Sequence, residues 1–153
     1  MHFITGGSFN GKRKWALNFY QLTIQSEALQ LLSFYEKTTA MENIAPLEKP
    51  VFMLEGLEYF IQQQLITMGI EKTICYFRQL FKELISWEKQ KEKNQVIVIG
   101  SDITKGIVPI DKKDREWRDA VGWIYQEAAQ RSTRVDVIWY GVNDLLKKWE
   151  EGV

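Results

Sequence analysis

The feature that most constrains this chain lies at its start, where "MHFIT" runs into "GGSFNGKRKW". Met1 to Thr5 reads as a short buried strand, and Gly6-Gly7 interrupt it. From Gly11 the apolar period changes from two to that of a helix, with Trp15, Phe19, Leu22 and Ser26 in step and Ala16, Tyr20 and Thr23 beside them. Strand, glycine loop and helix in that order leave few folds open. The spacing Gly6-x4-Gly11-Lys12 fits a phosphate-binding loop, in which backbone N–H groups and a helix N-terminus surround phosphate oxygens. Arg13 stands where that pattern has Ser or Thr, and a guanidinium cannot ligate a cation. Two readings stand. Either Gly6, Gly7, Ser8, Phe9, Asn10, Gly11, Lys12 and Arg13 hold a nucleotide's phosphates, or the segment is a strand-to-helix turn with surface lysines.

The remainder repeats the alternation. "LLSFYEKT" (31–38) reads as a strand or a helix, and "AMENIAPLEKP" (40–50) as a loop. "VFMLEG" (51–56) is an apolar run of the kind buried on both faces of a parallel sheet. Leu57, Phe60, Ile61 and Met68 then mark one helix up to Gly69. Ile70, Ile74, Phe77, Phe81 and Leu84 mark the next, which dissolves into "EKQKEKN". "VIVIG" (96–100) is the plainest strand; a loop follows, then a helix through Trp117, Val121, Ile124 and Ala128. "VDVIWYG" (135–141) is the last strand, and a short helix with a charged tail is expected after it. Such alternation predicts one α/β domain over residues 1–153, a P-loop NTPase-like parallel sheet flanked by helices on both faces.

Composition narrows the partners. Twenty basic and twenty acidic residues cancel, so no overall field favours nucleic acid or an anionic membrane. No apolar run approaches the roughly 18 residues of a membrane span. The single cysteine, Cys75, and the lack of a secretory apolar segment predict a cytoplasmic protein, with Cys75 as a buried thiol near the apolar face of its helix. One histidine, His2, and one cysteine leave no zinc set and no histidine in the body of the chain for Cys/His or Ser/His/Asp catalysis; His2 reads as an incidental terminal residue.

Two acids follow strands. Glu55 ends the "VFMLE" run and Asp102 follows "VIVIGS", and ligands of parallel sheets lie outside such strand ends. Either could hold a Mg²⁺-bound water or accept a substrate proton. The plainer alternatives are a helix-start acid for Glu55 and a turn cap for Ser101-Asp102.

The ends of the chain resemble the bacterial adenosylcobinamide kinase/adenosylcobinamide-phosphate guanylyltransferase family. "ITGGSFNGKRKWA" is similar to that family's "TGGxxSGKS" opening, and "MLEG" to its acidic strand end. Gly106-Ile107-Val108-Pro109, Arg118-Asp119, Gly122, Gln126 and Ala128 stand in step with "GIVP…RD…G…Q" and the alanine-rich helix. The resemblance implies ATP or GTP as substrate with Mg²⁺, a corrinoid hydroxyl as acceptor, catalytic roles for Lys12, Glu55 and Asp102 with Glu55 and Asp102 at the metal, and a homo-oligomer. The chain departs from the family where the chemistry sits. Arg13 replaces Ser/Thr, Ser101-Asp102 replaces Asn-Glu, and Trp123 and Tyr125 replace two polar groups. Residues 34–50 contain no histidine, which leaves the guanylyl route without its covalent acceptor. A catalytically silent descendant that binds a nucleotide or a partner is the alternative reading.

Overall fold

In the computed structural model, which describes residues 1–36 and 46–149, six strands form one sheet in the order β2-β3-β4-β1-β5-β6. The strands are β1 (His2–Gly6), β2 (Leu29–Ser33), β3 (Val51–Glu55), β4 (Gln95–Ile99), β5 (Arg134–Trp139) and β6 (Val142–Lys148). The first five are parallel to their neighbours and β6 is antiparallel to β5. The helices are α1 (Lys12–Phe19), α2 (Leu57–Met68), α3 (Ile70–Glu88) and α4 (Lys112–Arg131). This is the P-loop NTPase-like α/β architecture expected above.

Period-two alternation sends each strand's residues to two separate cores. Phe3, Phe52, Leu54, Val96, Val98 and Val135 meet Leu57 and Phe60 of α2, Phe77 and Phe81 of α3, and Val121 and Ile124 of α4. Ile4, Met53, Ile97, Ile99 and Ile138 point the other way, toward Ala16, Trp15 and Leu17 of α1. Helices therefore cover both faces. Phe34 and Phe60 stack with centroids 4.1 Å apart, and Phe60 meets Phe77 edge-on at 4.9 Å. Each such buried ring stabilises the fold by about 1.5–3 kcal/mol.

Two expectations about element ends need correction. Helical periodicity through Ser26 overruns α1, which stops at Phe19. Gln21 takes φ 56, its N–H reaches the Asn18 carbonyl, and the Leu22 N–H reaches the Leu17 carbonyl at 2.8 Å. This is a Schellman closure with glutamine in the position glycine usually fills. The expected C-terminal helix is instead β6. Tyr140 (φ 52) and Gly141 (φ 76) make a two-residue turn with both central residues left-handed, and Trp139 pairs with Val142 across it. Residues 31–38 do contain a strand, β2, through Ser33; residues 37–38 and most of the 40–50 loop lie outside the described residues. Among the described residues no helix is long and apolar enough to cross a membrane.

Candidate functional site

The carboxyl ends of β1, β3 and β4 meet on one edge of the sheet, because β1 sits inside it beside β4 and the chain leaves β1 in one direction and returns in the other. Gly6 ends β1 at φ 140, where an added Cβ would lie 2.2 Å from the Ile138 carbonyl oxygen. Only glycine fits between the two strands. The loop then runs to Gly11, which at φ 85 caps the start of α1. No side chain caps α1 and no acid occupies its first turn, which carries Lys12, Arg13 and Lys14. A helix start of this composition favours an anion.

The loop is anchored from outside. Asn10 accepts the Gly141 N–H on its carbonyl and the Tyr140 N–H on Oδ1, both at 2.8 Å, and Nδ2 donates to the Ser8 carbonyl. Lys12 is buried, and its Nζ donates to the Gly7 carbonyl at 2.8 Å. Burial pulls the Lys12 amine below the ordinary lysine range, and the charges of Glu58 and Glu55 oppose that shift. The amine is thus held across the loop.

Arg13 and Glu55 form a two-point ion pair. Nε of Arg13 donates to Oε2 of Glu55 at 2.8 Å, and Nη2 donates to Oε1. Glu55 is fully buried at the end of β3, whereas the Arg13 side chain is 40% exposed. The Glu55 hydrogen bond raises the guanidinium's already high pKa, with burial opposing it. Both carboxylate oxygens therefore face an organic cation.

A cavity of about 650 Å³ opens over these groups, lined by Ser8, Phe9, Gly11, Lys12, Arg13, Lys14 and Glu55 from the expected region. Its other wall is Tyr35, Glu58, Tyr59, Ile99 and Ser101. Glu58 was not anticipated. It is buried, its Oε2 accepts the Ser101 N–H at 3.0 Å, and the Tyr125 hydroxyl stands 3.4 Å away. Burial, then the Glu58 charge, pushes the phenols of Tyr35 and Tyr125 well above the ordinary tyrosine range. Both remain neutral donors. Gly100 makes room for this, since a Cβ there would sit 2.1 Å from the Tyr125 hydroxyl oxygen, which donates to the Ser101 carbonyl at 2.8 Å. The signal for Glu58 was its spacing: Glu55-x-x-Glu58 across a helix start puts the second acid in the first turn of α2.

The two acids expected at a metal are differently engaged. Asp102 Oδ1 accepts the N–H and hydroxyl of Thr104 at 2.9 and 2.5 Å, and Oδ2 faces Lys105 at 3.7 Å. Ser101 lines the cavity; Asp102 does not. Mg²⁺ is usually held by one or two carboxylates together with phosphate oxygens. Here Glu55 has both oxygens paired to Arg13, and among the described residues no three His, Cys, Asp or Glu side chains could hold a metal ion together. Glu55, the carboxylate expected at the metal, is not free to ligate Mg²⁺ as arranged.

Two smaller expectations are corrected. Cys75 is exposed, because the buried side of α3 runs through Thr73, Phe77, Leu80, Phe81 and Leu84 and residue 75 falls opposite 73 and 77. His2 is buried and hydrogen-bonded through both ring nitrogens, to Tyr20 and Asp136, so it is a structural residue of the α1 face.

The family model described as cobinamide kinase / cobinamide phosphate guanyltransferase aligns with residues 27–145. That span includes Glu55, Glu58, Ser101, Asp102 and Gly106 to Pro109, and leaves the glycine loop outside. No curated protein matches the chain.

Proposed function

Because the chain belongs to the cobinamide kinase / cobinamide phosphate guanyltransferase family, we propose that it binds a nucleoside triphosphate, ATP or GTP, over the loop from Gly6 to Arg13 and serves corrinoid metabolism through that binding. The observation that carries this reading is Lys12, a buried amine held across the loop at the mouth of a cavity of about 650 Å³. An incoming phosphate chain can take over the role of the Gly7 carbonyl as its acceptor. The uncapped start of α1 adds its dipole to the same side. The pairing of Arg13 with Glu55 supports a reading of binding over one of metal-assisted transfer.

A second reading keeps the family's kinase step, phosphoryl transfer to a corrinoid hydroxyl. Glu58 favours it, as a buried carboxylate on the wall facing the loop, where an acceptor hydroxyl would enter. Positioning and charge dominate such chemistry, and Lys12 would steady the transferring group. Self-association belongs to the proposal too: β6 is a sheet edge exposing Val142 and Leu146 to a second copy, with Trp149 exposed just after it.

Calorimetric titration with ATP and GTP tests the first reading, beside Lys12→Ala. Loss of a charge-assisted hydrogen bond should weaken binding by about tenfold or more. A native chain that takes up no nucleotide at millimolar concentration would sink it. Phosphorylated cobinamide in the same mixtures, read by mass spectrometry, would move the conclusion to the kinase. Light scattering on a size-exclusion column reports the assembly.

A further inference from the structure

The residue after the loop lysine is the point at which this site departs furthest from a metal-dependent one. Arg13 lies in the first turn of α1, lines the cavity, and is fixed by two hydrogen bonds to a carboxylate at the end of β3. Glu55 by itself would repel a polyphosphate entering beside it. With Arg13 in place that charge is cancelled within the protein, the task a divalent cation performs when it bridges a carboxylate and a phosphate.

The donor count leaves capacity to spare. A guanidinium has five N–H groups in a planar fork. Glu55 takes one from Nε and one from Nη2, so three remain, on a side chain 40% exposed toward the cavity. Guanidinium and phosphate make short, charge-assisted contacts, and an arginine already fixed by a carboxylate loses little freedom on making them. Lys12 and Lys14 line the same cavity. A divalent ion, by contrast, would have to displace Arg13 to reach Glu55. It would then stand beside three side-chain cations.

We infer that Arg13 is the resident cation of this site, and that the chain binds nucleoside polyphosphate in its metal-free form. This rests on the nucleotide reading above and adds what form the ligand takes. Mg²⁺ then works against binding, because it neutralises the phosphate charge that Lys12 and Arg13 attract. Arg13 thus sets specificity for the uncomplexed polyanion.

The test is calorimetry with ATP and with inorganic tripolyphosphate, each in EDTA and in excess Mg²⁺. The native chain should bind both ligands in EDTA as tightly as in Mg²⁺ or more tightly. Arg13→Ser should weaken binding in EDTA by about tenfold or more, the usual loss for a charged hydrogen bond. It should also gain a Mg²⁺ requirement, because Glu55 is released and a hydroxyl is supplied. Since Arg13→Ser leaves Glu55 buried without a partner, Arg13→Lys serves as a second variant. It keeps the charge but not the fork, and should lose affinity in EDTA without acquiring a response to Mg²⁺. Binding by the native chain that is about tenfold tighter with Mg²⁺ would overturn the inference and leave nucleotide binding standing. Equal EDTA affinities for the native chain and both folded variants would overturn it too. No binding under either condition would remove the nucleotide reading itself and the inference with it.

Discussion

His2 and Asp136 are joined across the sheet by a hydrogen bond of 2.7 Å between Nε2 and Oδ2, with both side chains buried between β1, β5 and α1. Burial alone would raise the Asp136 carboxyl, but hydrogen bonds from Arg134, Asn143 and His2 outweigh it and hold it below the usual carboxylate range. Asp136 is therefore ionised and accepts from Nε2–H, while Nδ1 accepts from the Tyr20 hydroxyl at 2.7 Å. The ring is neutral: burial lowers its pKa from 6.5 to about 4, against the opposing pull of Asp136. Because the unfolded chain binds the proton more readily, this contribution is complete above about pH 6.5 and is lost as pH falls toward 4. The shift corresponds to about 3 kcal/mol. Urea unfolding between pH 7 and 4 should show falling stability, and the imidazole NMR signals, which come from one histidine, should not titrate near pH 6.5. Stability that rises as pH drops through 6.5 would mean the ring is charged, and the arrangement would be wrong.

Phe9 has φ 60 and a fully exposed side chain. A left-handed conformation costs a residue with a Cβ about 1–2 kcal/mol, and here no burial offsets it. Phe9 lines the cavity, so the ring is available to a ligand. Phe9→Gly should leave stability unchanged or raise it by up to about 1 kcal/mol. Nucleotide affinity should fall by a few-fold, the worth of one aromatic contact. Reduced thermal stability together with undiminished affinity would reverse this assignment.

The strands and most helices were legible because apolar periodicity records burial, and two faces of one sheet are buried here. What escaped was decided by backbone turns and by distant pairs. Leu22 carries a helical period but sits beyond α1, because Gln21 accepts a conformation that periodicity does not encode. Val142 to Lys148 has little alternation, and its strand depends on the Tyr140-Gly141 turn and on partners in β5. Arg13 was visible as an anomaly in the loop pattern. Its meaning depends on Glu55, 42 residues on, and a linear reading could place the two near each other without showing them paired. Glu58 lies in the first turn of α2, where an acid reads as an ordinary helix-start residue, and only the fold brings it to the Ser101 N–H, 43 residues on.

Gln64 lies fully buried on α2, and neither atom of its side-chain amide has a hydrogen-bond partner among the described residues. An unsatisfied buried polar group costs about 1–3 kcal/mol. Methionine has nearly the same shape without the polar atoms. Gln64→Met should therefore raise the urea midpoint with an unchanged m-value, by about 1 kcal/mol or more. A lower midpoint would show that the amide does have a partner in solution.

Asn10 ties the glycine loop to the β5–β6 turn through its Oδ1 and its carbonyl, while Nδ2 steadies the Ser8 carbonyl. The backbone bond to Gly141 survives any substitution, but the two side-chain bonds do not. Both lie at the surface, where water can replace them, so Asn10→Ala should cost only about 0.5–1.5 kcal/mol of stability. The effect on ligand should be larger in proportion. A loop free to rearrange must be ordered again when phosphate binds, and affinity should fall by about tenfold. Asn10→Asp separates the two effects. Its carboxylate still accepts from the Tyr140 N–H, so stability should stay near the native value, but it places a negative charge in a loop that is to receive an anion. Affinity for ATP should then fall at least as far as in Asn10→Ala, and added salt should relieve part of the loss. Native affinity in both variants would mean that the hairpin holds the loop for the fold alone, with no bearing on the ligand.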